Sequence, residues 1–303
     1  MVLAVTLTEL GQVLIIGLIT GSIYSLMALG LVLIYRSSGV FNFAAGEFGT
    51  VAIYATSVAL NTGHSIIGNY AVAVIIGLAS GVAVGLATER LVIRPLFDAP
   101  RVTLLVATAG IALLALGAQF WRTQDNPLRF ISPISENAAR FNPLDIPISD
   151  QRVIAMIVLA VVAVGLYLFF KAPIGLAVLA SSQEPTAAEL VGVSVNRVSS
   201  LVWALAALTS GMAGLLLAGG ATYGPGFMTA QALIPGFTAA VVGGLKSLPG
   251  AVVGGFTIAI LQSFGQLSTF DSVPGASSIS VFLVLLGVLL IRPEGIFGKG
   301  AAA

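Results

Sequence analysis

The sequence has no cysteine, a single histidine (His64), and charged side chains at only 8% of its 303 positions. Without cysteine there is neither a disulfide framework nor a thiolate metal site, although redox compartment is left open. One imidazole cannot build a zinc site by itself, and His64 in the polar stretch Asn61 to Ser65 is expected to be solvated. A formal net charge of +1 gives no reason to expect nucleic acid or a strongly acidic partner. No G-x-x-x-x-G-K-[ST] phosphate loop occurs, since Lys246-Ser247 follows Leu245 rather than glycine. There is also no H-E-x-x-H, and no aspartate between Asp150 and Asp271. An enzyme would therefore lack both a nucleophile–base pair and a metal set, and no cofactor is expected on this chain.

What the chain does contain is apolar length. Hydrophobic residues make up 57% of it, with 35 glycines spread through them. Apolar runs extend over Leu10 to Tyr35, Phe41 to Leu60, Ile66 to Thr88, Val102 to Trp121, Val153 to Phe170, Val198 to Gly220 and Ser277 to Ile291. A hydrocarbon core leaves backbone amides nothing to bond but each other, so such runs must be helices or half-helices. The expected fold is an all-α, polytopic integral membrane bundle in one domain spanning 1–303. It has about eight or nine membrane segments, some broken or re-entrant. Glu9 ahead of the first run, with no basic stretch before it, reads as a permanent first helix rather than a leader. Trp121 and Trp203, near run ends, read as interface anchors.

The basic residues orient the bundle. Arg90, Arg94 and Arg101 share one short connection; Lys171 and Arg197 bound another; Arg36, Lys246, Arg292 and Lys299 fall on the same side. The excess of Lys and Arg marks that side as cytoplasmic. Residues 122–152 then form an extracytoplasmic loop, expected to be ordered by its four prolines. Residues 172–197 form a cytoplasmic loop.

Three segments could carry mechanism. In the cytoplasmic loop, Glu184 to Gly192 reads as a short helix with Pro185 in its first turn, Thr186 and Glu189 at capping-box spacing, and Gly192 as a left-handed terminator. Its small face at Ala187 and Ala188 suits docking into a partner's groove, or it simply lies at the interface. In the second segment, Asn42, Gly46 and Glu47 sit inside an apolar run. A carboxylate there needs a partner, a proton or water. Glu47 is thus either a pathway residue or a tie between helix ends. The third runs from Phe237 to Gly255 through Thr238, Gly243 and Gly244. Its first piece, Pro235 to Leu245, is too short to span a core of roughly 30 Å. It is a half-helix, a tilted helix reaching back toward Met228, or part of a re-entrant pair. Its glycines serve either a translocation route or close packing.

These stretches together resemble the permease subunits of ABC importers of the branched-chain amino acid type, the LivH-like subunit. The matching pieces are Gly30 to Tyr35, Asn42-Phe43-Ala44 with Gly46-Glu47, Glu89-Arg90 with Arg94-Pro95, Ala187 to Gly192 with Asn196-Arg197, Phe237 to Gly255, and Arg292 to Gly295. They run in consistent order over nearly the whole chain. The resemblance implies a half-transporter in a bacterial or archaeal plasma (inner) membrane. A second related permease would complete a heterodimer, two cytoplasmic ATPases would hold ATP and Mg, and an extracytoplasmic binding protein would deliver solute. Glu184, Ala187, Ala188, Glu189 and Gly192 then occupy the ATPase-coupling loop. The chain departs from the family pattern at Arg36 and Ala45, where glycine and histidine are usual, both beside the possible pathway. Relatives also move urea or short amides, so the solute stays open. A secondary transporter or channel using Glu47 as its ion site is the rival from another class.

Overall fold

The computed structural model describes residues 7–61, 69–123, 126, 128–130, 138–141, 146–219, 221–267, 275–292 and 294–298; His64 lies outside them. Five helices are long and apolar enough to cross a membrane: Glu9–Ser38, Tyr70–Leu96, Arg101–Thr123, Asp150–Lys171 and Val195–Ala218. They match five of the apolar runs, because composition and length alone decide them. Helix α1 (Leu7–Ser38) is the axis of the bundle, packing on α5 (Asp150–Lys171), α8 (Val195–Ala218), α9 (Ile234–Gly243) and α10 (Leu248–Phe264). The α1–α10 seam is antiparallel and glycine-lined. A methyl group at Gly17 would lie 2.8 Å from the Ile260 Cα, and one at Gly255 would meet Ser25. Such absence of side chain lets backbones approach, and close van der Waals contact is what holds helices together in lipid. The Ser25 hydroxyl uses the approach to donate to the Val252 carbonyl at 2.9 Å.

Helix α2 (Ala45–Asn61) and α3 (Tyr70–Thr88) pack antiparallel, and both lie on α8. Along α3 the buried positions Ala73, Gly77, Gly81 and Gly85 recur every four residues. Past Thr88 the chain winds through a π-turn (Glu89–Ile93) and a 3₁₀ turn (Arg94–Leu96) before α4 (Arg101–Thr123). Helix α4 is mostly exposed, with Leu104, Thr108 and Gln119 buried. Helix α11 (Ala276–Ile291) packs on α9 and α10.

The basic residues of several helices gather at one end of the bundle. The Arg36 guanidinium of α1 stands 4.5 Å from the Phe170 ring at the end of α5. Gly39 abuts Arg101 at the start of α4, and Arg94 reaches the start of α8. The tail 294–298 returns to this end, its Ile296 N–H donating to Val242 O at 2.8 Å and so closing α9. At the opposite end, short strands β1 (Leu128–Arg129) and β4 (Thr222–Tyr223) pair antiparallel, as do β2 (Ala138–Phe141) and β3 (Ile146–Ser149). Nothing in the sequence pattern announces these strands, since two to four residues leave no periodicity to detect.

Three local expectations change. Trp203 is no interface anchor but fully buried against Phe48, because it faces α2 and α3 rather than the bundle's outside; Trp121 is 86% exposed. The run from Phe41 becomes helical only at Ala45. The loop from Ala172 holds an unforeseen helix α6 (Pro173–Gln183), opened by Pro173, before the short α7 (Pro185–Leu190).

Candidate functional site: a carboxylate between two helix starts

Residues 39–44 do not continue α1. They rise from its basic end alongside α4, with Phe43 N–H donating to Thr108 Oγ1 at 3.3 Å and the Phe41 carbonyl 3.1 Å from the same hydroxyl. The Asn42 Oδ1 accepts from Ala44 N–H at 3.0 Å and turns the chain into α2. Helix α2 therefore starts inside the bundle. Its first carbonyl, Ala45 O, accepts from Ser210 Oγ at 2.5 Å, fifteen residues along α8 from Val195 and about 22 Å from that helix's start.

A second interrupted segment comes in from the opposite end. After β4, residues 224–228 dip into the bundle. A π-turn (Thr229–Leu233) then leads into α9, giving one continuous helical stretch Thr229–Gly243. The helix reaches back toward Met228, as in the tilted-helix reading, and α9 also packs antiparallel on α10. Met228 N–H donates to Thr50 Oγ1 at 3.2 Å, which pins this segment to α2.

Glu47 lies where the two inward-dipping segments meet. It is in the first turn of α2 and only 1% exposed. Thr229 Oγ1, at the first π-turn residue, donates to its Oε1 at 2.6 Å, and Gln119 Nε2 donates to its Oε2 at 2.6 Å. The carboxylate can only accept, so the Gln119 amide must present nitrogen to it. That leaves the amide oxygen for Gly226 N–H, at 2.9 Å. Helix starts carry partial positive charge from unpaired N–H groups, and a first-turn carboxylate offsets it. The acid is thus satisfied by two neutral donors and by the starts of two helical segments. Gly46 makes this possible, since a side chain there would collide with Thr229. Toward the strand end, Tyr54 and Tyr223 meet edge to face at 5.0 Å, and Phe130 packs on Tyr223. Burial pushes the Tyr223 phenol above its ordinary value.

Of the candidates read from sequence, Asn42, Gly46 and Glu47 come together at this break before α2. Asn42 makes no hydrogen bond to the acid, however, and its Nδ2 is buried with no partner among the described residues. Thr238, Gly243 and Gly244 sit elsewhere, toward the basic end. Thr238 is buried and donates to Ile234 O at 2.9 Å. Gly243 packs directly on Gly250 at the α9–α10 turn, and Gly244, at φ +99°, lies under the tail at Gly298. Gln119 and Thr229 escaped the sequence reading. A glutamine within the α4 run was the available signal, because an amide in lipid needs a partner as surely as an acid does.

At the basic end, α7 hangs between α6 and α8 with Ala188 buried; Ala187, Glu189, Leu190, Val191 and Gly192 are exposed. Leu190 and Val191 reach 85% and 79% exposure. Gly192 terminates the helix at φ +89°, with its N–H on Glu189 O and Val193 N–H on Ala188 O. The capping box expected from Thr186 and Glu189 does not form. Glu184 occupies the N-cap without a side-chain bond, and Pro185 takes the first helical position, where its missing N–H costs nothing.

A helical bundle with two interrupted helices meeting inside it, and an exposed short helix at its basic end, defines a polytopic membrane permease domain. Residues 13–292 match the model of the branched-chain amino acid transport system / permease component family, and the chain belongs to that family. It is 28% identical to the high-affinity branched-chain amino acid transport system permease protein BraD of Pseudomonas aeruginosa, over 95% of each chain. It is 27% identical to LivH of Escherichia coli K12 over 93% of this chain and 94% of that one. The E. coli ribose import permease protein RbsC is 26% identical over 89% and 81%. The LivH-like resemblance read from the motifs thus holds over nearly the whole length. The protein is an ABC transporter permease subunit, and its family consists of transporter components rather than enzymes.

Proposed function

We propose that this chain is the membrane-spanning half of an ATP-driven importer for a small polar solute, branched-chain or other amino acids being the best fit. The names of its BraD and LivH relatives support the amino-acid reading, and the ribose permease among the relatives sets its width. The basic end faces the cytoplasm of a bacterium or archaeon, across its plasma membrane. In this reading α2 and the stretch ending in α9 are interrupted passes, and the N-terminus lies outside. A related permease completes the pathway as a heterodimer. An extracytoplasmic binding protein hands over the solute on the strand side.

The single observation that carries the reading is α7. It is short, seated through Ala188, ended by a left-handed glycine, and displays Leu190 and Val191 to solvent. Two apolar side chains on a cytoplasmic lever are what a groove on an ATPase subunit would grip, with Glu184, Ala187, Glu189 and Gly192 around them. ATP and Mg belong to those partners. Closure of the ATPases would pull α7 and α6 against α8, shifting the helices around Asn42 to Glu47 and Thr238 to Gly244.

The test is co-purification of the permease with its ATPase subunit and measurement of solute-stimulated hydrolysis in proteoliposomes. Leu190→Asp is expected to abolish stimulation while the permease still inserts. Unchanged stimulation would overturn the assignment of α7. Glu47, the ion site of the rival reading, is held by Gln119 and Thr229, and uptake that collapsed with the proton gradient would favour that rival.

A further inference from the structure

At the basic end, the buried Glu89 forms an ion pair with the partly exposed Arg94. Glu89, 1% exposed, takes a fork of hydrogen bonds from Arg94: Nε to Oε1 at 3.2 Å, Nη2 to Oε1 at 3.1 Å and Nη2 to Oε2 at 3.0 Å. Ser200 Oγ of α8 also donates to Glu89 Oε2 at 2.8 Å, and Arg94 Nη2 reaches Asn196 O at 3.2 Å. On an α-helix, residues five apart do not face each other. The π-turn, with Arg94 N–H bonded to Glu89 O, brings these two together. The network fixes Arg94 and leaves its Nη1 free of any partner among the described residues.

Beside it opens a cavity of about 320 Å³ lined by Arg90, Arg94, Asn196, Arg197 and Ser200. Glu89 balances one of the three guanidinium groups. Arg90 and Arg197 have no ion pair with any described residue, so the cavity carries two uncompensated positive charges. Its position on the bundle is informative. Ile75, Ala79, Ala83 and Ala87 form an exposed apolar stripe down α3, every fourth residue, and Arg90 and Leu91 are exposed in the π-turn where that stripe ends. Leu91 beside it is 75% exposed. An apolar outer stripe running into a cationic cavity has the polarity profile of a lipid: chain along the helix, headgroup at its end.

We propose that Arg90, Arg94 and Arg197 form a binding site for the phosphodiester headgroup of an anionic phospholipid in the cytoplasmic leaflet. Guanidinium forks match phosphate oxygens in geometry and charge, and cationic pockets between membrane helices on this side suit such headgroups. The site ties the turns after α3 to the start of α8, three residues beyond Gly192. A bound lipid would therefore stiffen the support of α7. This goes beyond the transport reading and does not depend on which solute is carried.

The experiment is native mass spectrometry of the co-purified transporter after exchange into nanodiscs of phosphatidylglycerol or of phosphatidylcholine. The wild type is expected to retain phosphatidylglycerol preferentially. Arg90→Gln/Arg197→Gln is expected to weaken retention about fivefold per charge removed. Arg90→Lys/Arg197→Lys, which keeps both charges, should retain most of the preference and controls for folding. Three results would overturn the proposal. One is equal retention of the two lipids by the wild type. Another is binding of inorganic phosphate with no phosphatidylglycerol preference, which would make this a free-anion site. The third is a Gln double variant that keeps its lipid yet loses its ATPase subunit, which would assign the arginines to a protein partner. Lipid retention is read without transport, so failure here would leave the importer reading standing.

Discussion

The most consequential residue is Glu47. Its two oxygens meet a hydroxyl and an amide, each at 2.6 Å, and it sits at a helix start. Removing the acid strands both donors in a buried site, which costs about 1–3 kcal/mol or more. Glu47→Ala is therefore expected to lower the unfolding temperature of the purified complex, with Glu47→Gln intermediate, since its amide oxygen can still accept from one of the two donors. If Glu47→Ala stayed as stable as wild type yet lost transport, the acid would belong to the pathway instead of the packing. Gly46 gives a second handle on the same contact. Gly46→Ala pushes a methyl into Thr229 and should reduce the yield of folded protein, whereas Gly110→Ala, with open space around it, should not. The need for a partner was legible at Glu47. Which partner was not, because Gln119 lies 72 residues away and Thr229 lies 182.

Among elements, α7 was the most readable and α2 the least. Proline, alanines and a terminal glycine within nine residues mark α7 in the sequence, since each acts on its own neighbours. The same local logic failed at Thr186 and Glu189, where a capping box has no place once Glu184 is the N-cap. Gly192, at φ +89° with nothing near its missing side chain, is a backbone requirement alone. A β-branched residue there costs about 1–2 kcal/mol in the left-handed region. Gly192→Val is thus expected to blunt ATPase stimulation, while Gly192→Asn, which tolerates that region, should keep most of it. Equal activity of the two variants would mean that the turn after α7 plays no part in coupling. Helix α2, by contrast, looks like an ordinary apolar run from Phe41. Only the contacts of Phe41 and Phe43 with Thr108 show why the first residues stay out of the helix.

Across the whole molecule, the charge map and the contact map agree. Arg36, Arg94 and Arg101 converge on one end although they come from different helices. That end also carries α7 and the returning tail, so a soluble partner would meet all three together. Uptake into sealed vesicles is expected to require internal ATP together with the ATPase subunit, and to survive collapse of the proton gradient. Solute movement by this chain alone in liposomes would refute the importer reading.

The sequence by itself determined that this is an apolar helical bundle, where most of its helices lie, and which end is basic. Lipid acts on each segment separately, through length, hydropathy and flanking charge, so those features need no knowledge of neighbours. The tertiary structure decided the burial of Trp203, the interruption before Ala45, the union of Glu47 with Gln119 and Thr229, and the pairing of Glu89 with Arg94 through a π-turn. Each of these depends on which face of one helix meets which face of another, or on a departure from α periodicity that packing imposes.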